Sequence, residues 1–586
     1  AGISLRSLKR LLPIMKQYQG RIYLGFFAFF LARFFEVSTY YLVGQGIDQI
    51  GLSLDTMGVY FSIESITLGI IFFVGLRFLA VSYARRAIRR VGILVSYDLR
   101  QRLYPAVLRQ GMEFYARISI GDVMTRAVQD IALIQRLIAF GLIAFVIMVF
   151  APLFGVTAML FKSTELTLLI LPVLPAIFIY AIRMTGQMGR SSREVQEKLS
   201  DLSTHTQENL SGIRTIQAQV QEENEIKRFW WTNNKYASAF YEQARINSLM
   251  TAWMPFLAAV AQLIIIFYGG YLVMNNQMSV GDLVFFLACL NMLLQPIRMA
   301  GMMVMLLQRA VVATDRLFEI FDTEPEIEDS PTGETPKRIN GRLELRQARF
   351  VYPGNEKWGL DKVSLKVEPG ESLAIVGRIG SGKSTLLKLF TRIVDTPRGQ
   401  VFIDGHDVCD YPLGQLRTDV AQVLQDAFLF GEPLHNNISY DDPERNLELI
   451  WDAAESASLK ESISEFPLQM GTIVGERGVT LSGGQRQRTT LARGLIRNSP
   501  ILILDDCFSS VDTETEEHIL SRLKKLRRGK TTILVSHRIS TLRHSDRIVV
   551  LDEGRIVEIG SHEELLALNG AYAQLERIQT LQESAA

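Results

Sequence analysis

Residues 377–385 read GRIGSGKST, a glycine-rich turn between two ordered patterns. An apolar run, SLAIV at 372–376, leads into it, and a helical pattern, TLLKLFTRI at 385–393, leads out. Gly377, Gly382, Lys383 and Ser384 match G-x-x-x-x-G-K-[ST] in the strand–loop–helix setting that the pattern requires. Glycines let successive backbone N–H groups close round phosphate oxygens, and the helix that follows presents its positive end to them. Arg378, Gly380, Ser381 and Thr385 complete the loop. Lys383 suits the β- and γ-phosphates of a nucleotide, and the Ser384 hydroxyl suits Mg²⁺.

The sequence beyond continues the pattern. Short β-like runs, VFIDG at 401–405, ILILDD at 501–506, TTILVSH at 531–537 and RIVVLDEG at 547–554, alternate with helical stretches. Such alternation predicts an α/β domain with a mostly parallel sheet. The run ILIL delivers Asp505 at a strand end, and an acid so placed after a phosphate loop is directed at the Mg²⁺. Asp506 follows at once, so the strand ends in two carboxylates. At 481–488, LSGGQRQR sets Gly483 and Gly484 between Ser482 and Gln485 where a helix begins. That is a second anion-binding turn, and one domain does not need two phosphate cradles for one nucleotide.

The chain has 586 residues, 48% of them hydrophobic, which allows two or more domains. A formal net charge of +1 lacks the basic surplus that marks nucleic-acid partners. Cys289, Cys409 and Cys507 are scattered and odd in number, fitting neither a disulfide framework nor a zinc cluster. A spanning helix needs about 20 mainly apolar residues. Six segments qualify: 22–43, 59–82, 138–161, 166–182, 253–274 and 283–307.

Arginines crowd the connection between the second and third segments, from Arg85 to Arg136, whereas 44–58 and 275–280 hold no Lys or Arg. Basic loops stay cytoplasmic. Both termini and the long connections 83–137 and 183–252 are therefore expected inside, the connections as helices projecting from the membrane. The opening SLRSLKRLLPIMKQYQG mixes basic and apolar residues at helical spacing. It reads as a helix on the membrane surface or as the first helix of a cytosolic cap. The acidic, proline-bearing stretch after Phe321 reads as a linker. The expected domains are a membrane domain at 1–321, a linker at 322–340 and a nucleotide-binding domain at 341–586.

LSGGQRQR resembles the signature motif of ABC ATPases, and the resemblance extends over 340–586. It implies ATP with Mg²⁺. Tyr352 in FVYPG is similar to the aromatic that stacks on adenine in that family. Gln425 in VLQDAFLF is similar to the residue that touches Mg²⁺ and faces the membrane domain. VGERG at 474–478 resembles a short loop of exporters, SSVD at 509–512 the D-loop, and His537 in VSHR the switch histidine. With six spanning segments ahead of one such domain, the chain resembles a half-transporter of the bacterial ABC exporter class. The stretches 114–126 and 208–229 resemble its two inner loops, whose short coupling helices dock on nucleotide domains in that class.

In that family the residue after the Mg²⁺ aspartate is normally a glutamate that polarises the attacking water; here it is Asp506. The shorter side chain withdraws the carboxylate by about 1.5 Å, and catalytic groups lose about a hundredfold for a misplacement of about 1 Å. The resemblance thus implies catalytic roles for Asp506, His537 and Gln425, Mg²⁺ contacts for Ser384, Gln425 and Asp505, and slow hydrolysis. Two such domains sandwich two ATP molecules, each held by one phosphate loop and the opposite signature, so the chain must pair. A slow site beside a complete signature resembles the impaired subunit of heterodimeric multidrug exporters. The alternatives are a homodimeric lipid flippase or exporter with slow ATPase, and an ATP-gated channel or regulatory membrane protein. Drugs, lipids and lipophilic peptides are the expected cargo.

The sixth segment carries Met292, Met299, Met302, Met303 and Met305 beside Gln295, Pro296 and Arg298. Methionines suit a cavity that accepts varied apolar shapes, or equally an interhelical stripe. Arg33, Glu36, Glu64 and Arg77 lie inside expected spans, where ionisable groups face protein or water. Arg33 and Glu36 share a helix face and are placed to pair.

Overall fold

The computed structural model describes residues 6–52, 63–329, 338–352, 354, 357–475, 478 and 480–585. Residues 59–62 of the second expected span, Glu476 and Arg477 of the VGERG loop, and the middle of the expected linker lie outside the described residues. The chain forms two compact units. One takes the chain up to Leu108 and Ser119–Thr323; the other takes Arg109–Ile118 and the chain from Glu324.

The helices come first: α1 (Gln19–Ile50), α2 (Ile63–Leu108), the short α3 (Met112–Arg117), α4 (Ile120–Lys162), α5 (Thr164–Ser211), α6 (Glu222–Met274) and α7 (Val280–Asp322). All but α3 are long and apolar enough to cross a membrane, six among the described residues. α2 has 46 residues. At about 1.5 Å per residue it exceeds the hydrocarbon core of about 30 Å more than twofold, so it runs well beyond the bilayer. In the core of this unit, Phe286, Cys289, Leu290 and Leu293 of α7 pack with Ile170 and Ile177 of α5 and Ile265 of α6. Phe27, Leu68, Phe72 and Phe78 are exposed, an outer surface suited to lipid.

Arg33 and Glu36 pair within α1, both buried. Arg77 of α2 reaches Glu36 Oε1 at 2.6 Å, and the Tyr40 hydroxyl donates to the same oxygen at 3.0 Å. Arg77 is therefore part of an interhelical ion cluster, whereas Glu64 is exposed. At the start of the chain, Arg10 pairs with Asp322 and stands 4.1 Å over the Phe318 ring. That fastens the opening segment to the end of α7.

The second unit adds β1 (Leu343–Phe350), β2 (Leu360–Val367), β3 (Ser372–Gly377), α8 (Lys383–Phe390), β4 (Val401–Ile403), β5 (His406–Asp407) and β6 (Val420–Val423). Further on come α9 (Gly483–Leu495), β7 (Ile501–Asp505), α10 (Thr513–Leu526), β8 (Thr531–Val535), α11 (Ile539–Leu542), β9 (Arg547–Asp552), β10 (Arg555–Gly560) and α12 (Ala571–Ala585). A six-stranded sheet runs β10-β9-β3-β8-β7-β6. All its pairings are parallel except β10 with β9. Every residue of β7 and β8 is buried, as apolar runs covered on both faces should be.

A four-stranded antiparallel sheet, β2-β1-β4-β5, stands beside it. The expectation of one mostly parallel sheet did not include it. β1 reads LELRQARF and buries Leu343, Leu345, Ala348 and Phe350, the pattern of a strand wet on one face. In the large sheet, β3, β7 and β8 end on the same edge. A parallel sheet gathers its ligand-binding loops there.

Candidate nucleotide-binding site

The loop after β3 is shaped by its glycines. Gly380 and Gly382 take φ values of +81° and +101°, a region glycine enters without steric cost. A Cβ on Gly377 would stand 2.7 Å from Ser381 Oγ, so the turn closes only on a bare backbone. Ser381 Oγ is itself buried without a hydrogen-bond partner among the described residues, an orphaned polar atom inside the loop. Arg378 is exposed. The Lys383 ammonium, 7% exposed, donates to the carbonyl oxygens of Gly377 and Arg378 at 2.8 and 2.9 Å. Burial lowers its pKa, with Asp506 and Asp505 opposing.

Asp505, 5% exposed at the end of β7, accepts the Ser384 hydroxyl at 3.4 Å. Burial raises its pKa above the usual carboxylate range, and the bond from Ser384 opposes. A bound cation would relieve that cost. No trio of His, Cys, Asp and Glu converges among the described residues. Ser384 and Asp505 fit a Mg²⁺ that takes its remaining ligands from phosphates and water. Tyr352 OH and Thr385 Oγ1 are 3.1 Å apart, and the Tyr352 ring meets Phe350 edge-on.

Asp506 adopts φ +44°, a conformation in which Asp is enriched among non-glycine residues. Its N–H donates to the Val535 carbonyl at 3.0 Å, and its Oδ2 accepts from Gln425 Nε2 at 3.3 Å. The structure thus brings Gln425 onto the second carboxylate. His537, half-buried, sits in the loop between β8 and α11.

The second anion turn is an N-cap. Ser482 Oγ accepts from the Gln485 N–H at 3.2 Å, and Gln485 Oε1 accepts from the Ser482 N–H at 3.0 Å, a capping box at the start of α9. Gly483 and Gly484 lie against Ser510, where a Cβ on Gly484 would stand 2.9 Å from the carbonyl oxygen. Sequence reasoning passed over Gln487. Its carboxamide donates to Ser509 Oγ and accepts from the Ser510 N–H, both at 2.8 Å, tying the turn to SSVD. It also passed over Arg493, which donates to the carbonyl oxygens of Asn437 and Phe428 at 2.7 and 3.0 Å. Gln487 lies inside the quoted motif; Arg493 carries no signal beyond its helical register.

These features form a phosphate loop with a buried lysine and a strand-end acid, followed by a capped second turn. Comparison with known proteins agrees. Residues 22–297 match the family described as ABC transporter transmembrane region, and residues 360–509 match the ABC transporter family. The ATP-dependent lipid A-core flippase of Aromatoleum aromaticum is 35% identical over 500 residues, covering 85% of this chain and 82% of that protein. A Bacillus subtilis protein provisionally named multidrug export ATP-binding/permease protein YgaD is 32% identical and covers 99% of this chain and 100% of that protein. A solved structure, of a bacterial Atm1-family ABC exporter with ATP bound, superposes with a TM-score of 0.76 at 25% identity, covering 97% of this chain and 99% of that one. An α-helical membrane domain fused to an α/β ABC domain is thus the architecture, and the chain belongs to the ABC transporters of exporter type, as a half-transporter.

Proposed function

We propose that the chain is one half of an ATP-driven exporter of lipophilic molecules in the cytoplasmic membrane, with its termini and ABC domain on the cytoplasmic side. It works beside a second, different half-transporter, because its own ATP site turns over slowly. The observation that carries this reading is Asp506. It takes the position next to the Mg²⁺-directed Asp505 and is engaged by Gln425, but is one methylene shorter than glutamate. ATP and Mg²⁺ are held by Tyr352, residues 377–385 and Asp505, while Ser482, Gly483, Gly484 and Gln485 complete the partner's site.

A cavity of about 510 Å³ between α5, α6 and α7 supports apolar cargo; Met188, Met250, Met254, Met302 and Met305 line it. Such side chains adapt to varied shapes. Drugs, lipids and lipophilic peptides all fit that chemistry. The relatives named as lipid A-core flippases favour a second reading, a homodimeric lipid flippase.

The test is Mg-ATP hydrolysis by the chain alone in lipid, beside its Asp506→Glu variant. Near-background activity that rises by about a hundredfold with glutamate is expected, the reach argument giving the size. Brisk hydrolysis by the unaltered chain, abolished by Lys383→Ala, would overturn the slow site and leave the homodimer.

A further inference from the structure

We infer that Gln579 of α12 is a positioning residue for His537, an inference that rests on reading His537 as part of the ATP site. The loop 536–538 leaves β8 and enters α11, and His537 is its middle residue. α11 starts without a side-chain cap of its own, because Arg538 stands at its N-cap and makes no such bond. The first N–H groups of a helix need partners from elsewhere. Gln579 provides one. Its Oε1 accepts from the Ile539 N–H at 2.9 Å, while its Nε2 donates to the His537 carbonyl oxygen. One carboxamide therefore grips the backbone on both sides of Arg538. With the carbonyl of His537 held, the direction in which its imidazole leaves the chain is held too.

The other flank of the loop is also tied. Arg538 donates to the Val511 and Ser509 carbonyl oxygens at 2.8 and 3.3 Å and pairs with Glu516. This links it to SSVD and to α10. The clamp from α12 is the complementary restraint, and α12 is itself anchored. Glu558 accepts from the Tyr572 N–H at 3.0 Å, and the fully buried Tyr572 donates or accepts at His562 Nδ1 at 2.7 Å. Tyr572 and Gln579 are seven residues apart and so lie on one face of the helix. The buried tyrosine fixes the helix, and the glutamine two turns on fixes the loop.

The experiment is single-turnover hydrolysis of Mg-ATP by the full chain in excess over nucleotide, which reads even a slow site. Gln579→Met keeps length and helix tendency but removes both bonds, and Gln579→Glu keeps only the acceptor. With His537→Ala slowing hydrolysis, Gln579→Met is expected to slow it by about tenfold, in keeping with the cost of a displaced catalytic group. ATP affinity stays unchanged, Gln579→Glu falls between, and adding Gln579→Met to His537→Ala costs nothing more. An unslowed Gln579→Met beside a slow His537→Ala would overturn the inference while leaving His537 in place. So would an equal further loss in the double variant, the mark of a merely structural role. A His537→Ala chain that hydrolyses ATP at the unaltered rate would remove the reading of His537 itself, and the inference with it.

Discussion

Asp505 answers two conflicting demands. It is buried at the end of β7, where an ionised carboxylate is costly, yet its position suits a metal that needs the ionised form. Its raised pKa means that the folded chain binds this proton more tightly than the unfolded one. The favourable contribution is therefore complete below the unfolded pKa and is lost as pH rises through the folded pKa. Asp505→Asn removes a charge that the ligand-free fold must otherwise accommodate. Without nucleotide, the variant should melt higher at neutral pH, by about 2–4 °C for each kcal/mol relieved. The gap should close as pH falls through the raised pKa, and Mg²⁺-dependent ATP binding should be lost. Differential scanning calorimetry across pH, with and without Mg-ATP, checks both. The loop, Lys383 and Asp505 were legible because each motif position has one chemical use. The backbone at Asp506 was not: a φ of +44° leaves no mark in ILILDD.

Between elements, the ion cluster of α1 and α2 shows what spacing reveals and what it hides. Arg33 and Glu36, three apart, were readable as a pair. Arg77 lies 41 positions beyond Glu36 on another helix, and no periodicity in one helix can name its partner in the next. The cluster sets a prediction. Glu36→Leu leaves Arg33 buried without its counter-charge, and breaking a buried pair costs about 3–5 kcal/mol. Replacing both residues with leucine removes the buried stranded charge, leaves only the part-exposed Arg77 unpaired, and should restore most of the stability. Thermal unfolding of the three chains in lipid nanodiscs measures this; a double variant as unstable as the single one would show that the charge is not the cause. Arg493 follows the same rule of legibility. It braces the segment around Asn437 and Phe428, contacts that only the fold brings together.

At the scale of the whole chain, six apolar stretches and two glycine-rich turns at helix starts were enough to read a helical membrane domain joined to an α/β domain. Both signals are local. The features that escaped are distributed: the antiparallel sheet, and the gathering of Met188 of α5 and Met250 and Met254 of α6 beside Met302 and Met305 of α7 in one cavity. Pairing is of this distributed kind, and it can be tested by complementation. If each ATP lies between the phosphate loop of one chain and the second turn of another, a defect in either motif should be separable in a mixed pair. In an Asp506→Glu background, Lys383→Ala disables one half of every site, and Gly484→Asp disables the other half by crowding Ser510. Each variant alone is inactive. Mixed in equal amounts, half of the randomly formed dimers carry both chains, and each of these has one intact site of two, so about a quarter of the activity of the Asp506→Glu parent should return. Failure of the mixture to hydrolyse ATP, with dimers confirmed by mass, would show that one chain does not complete the site of the next.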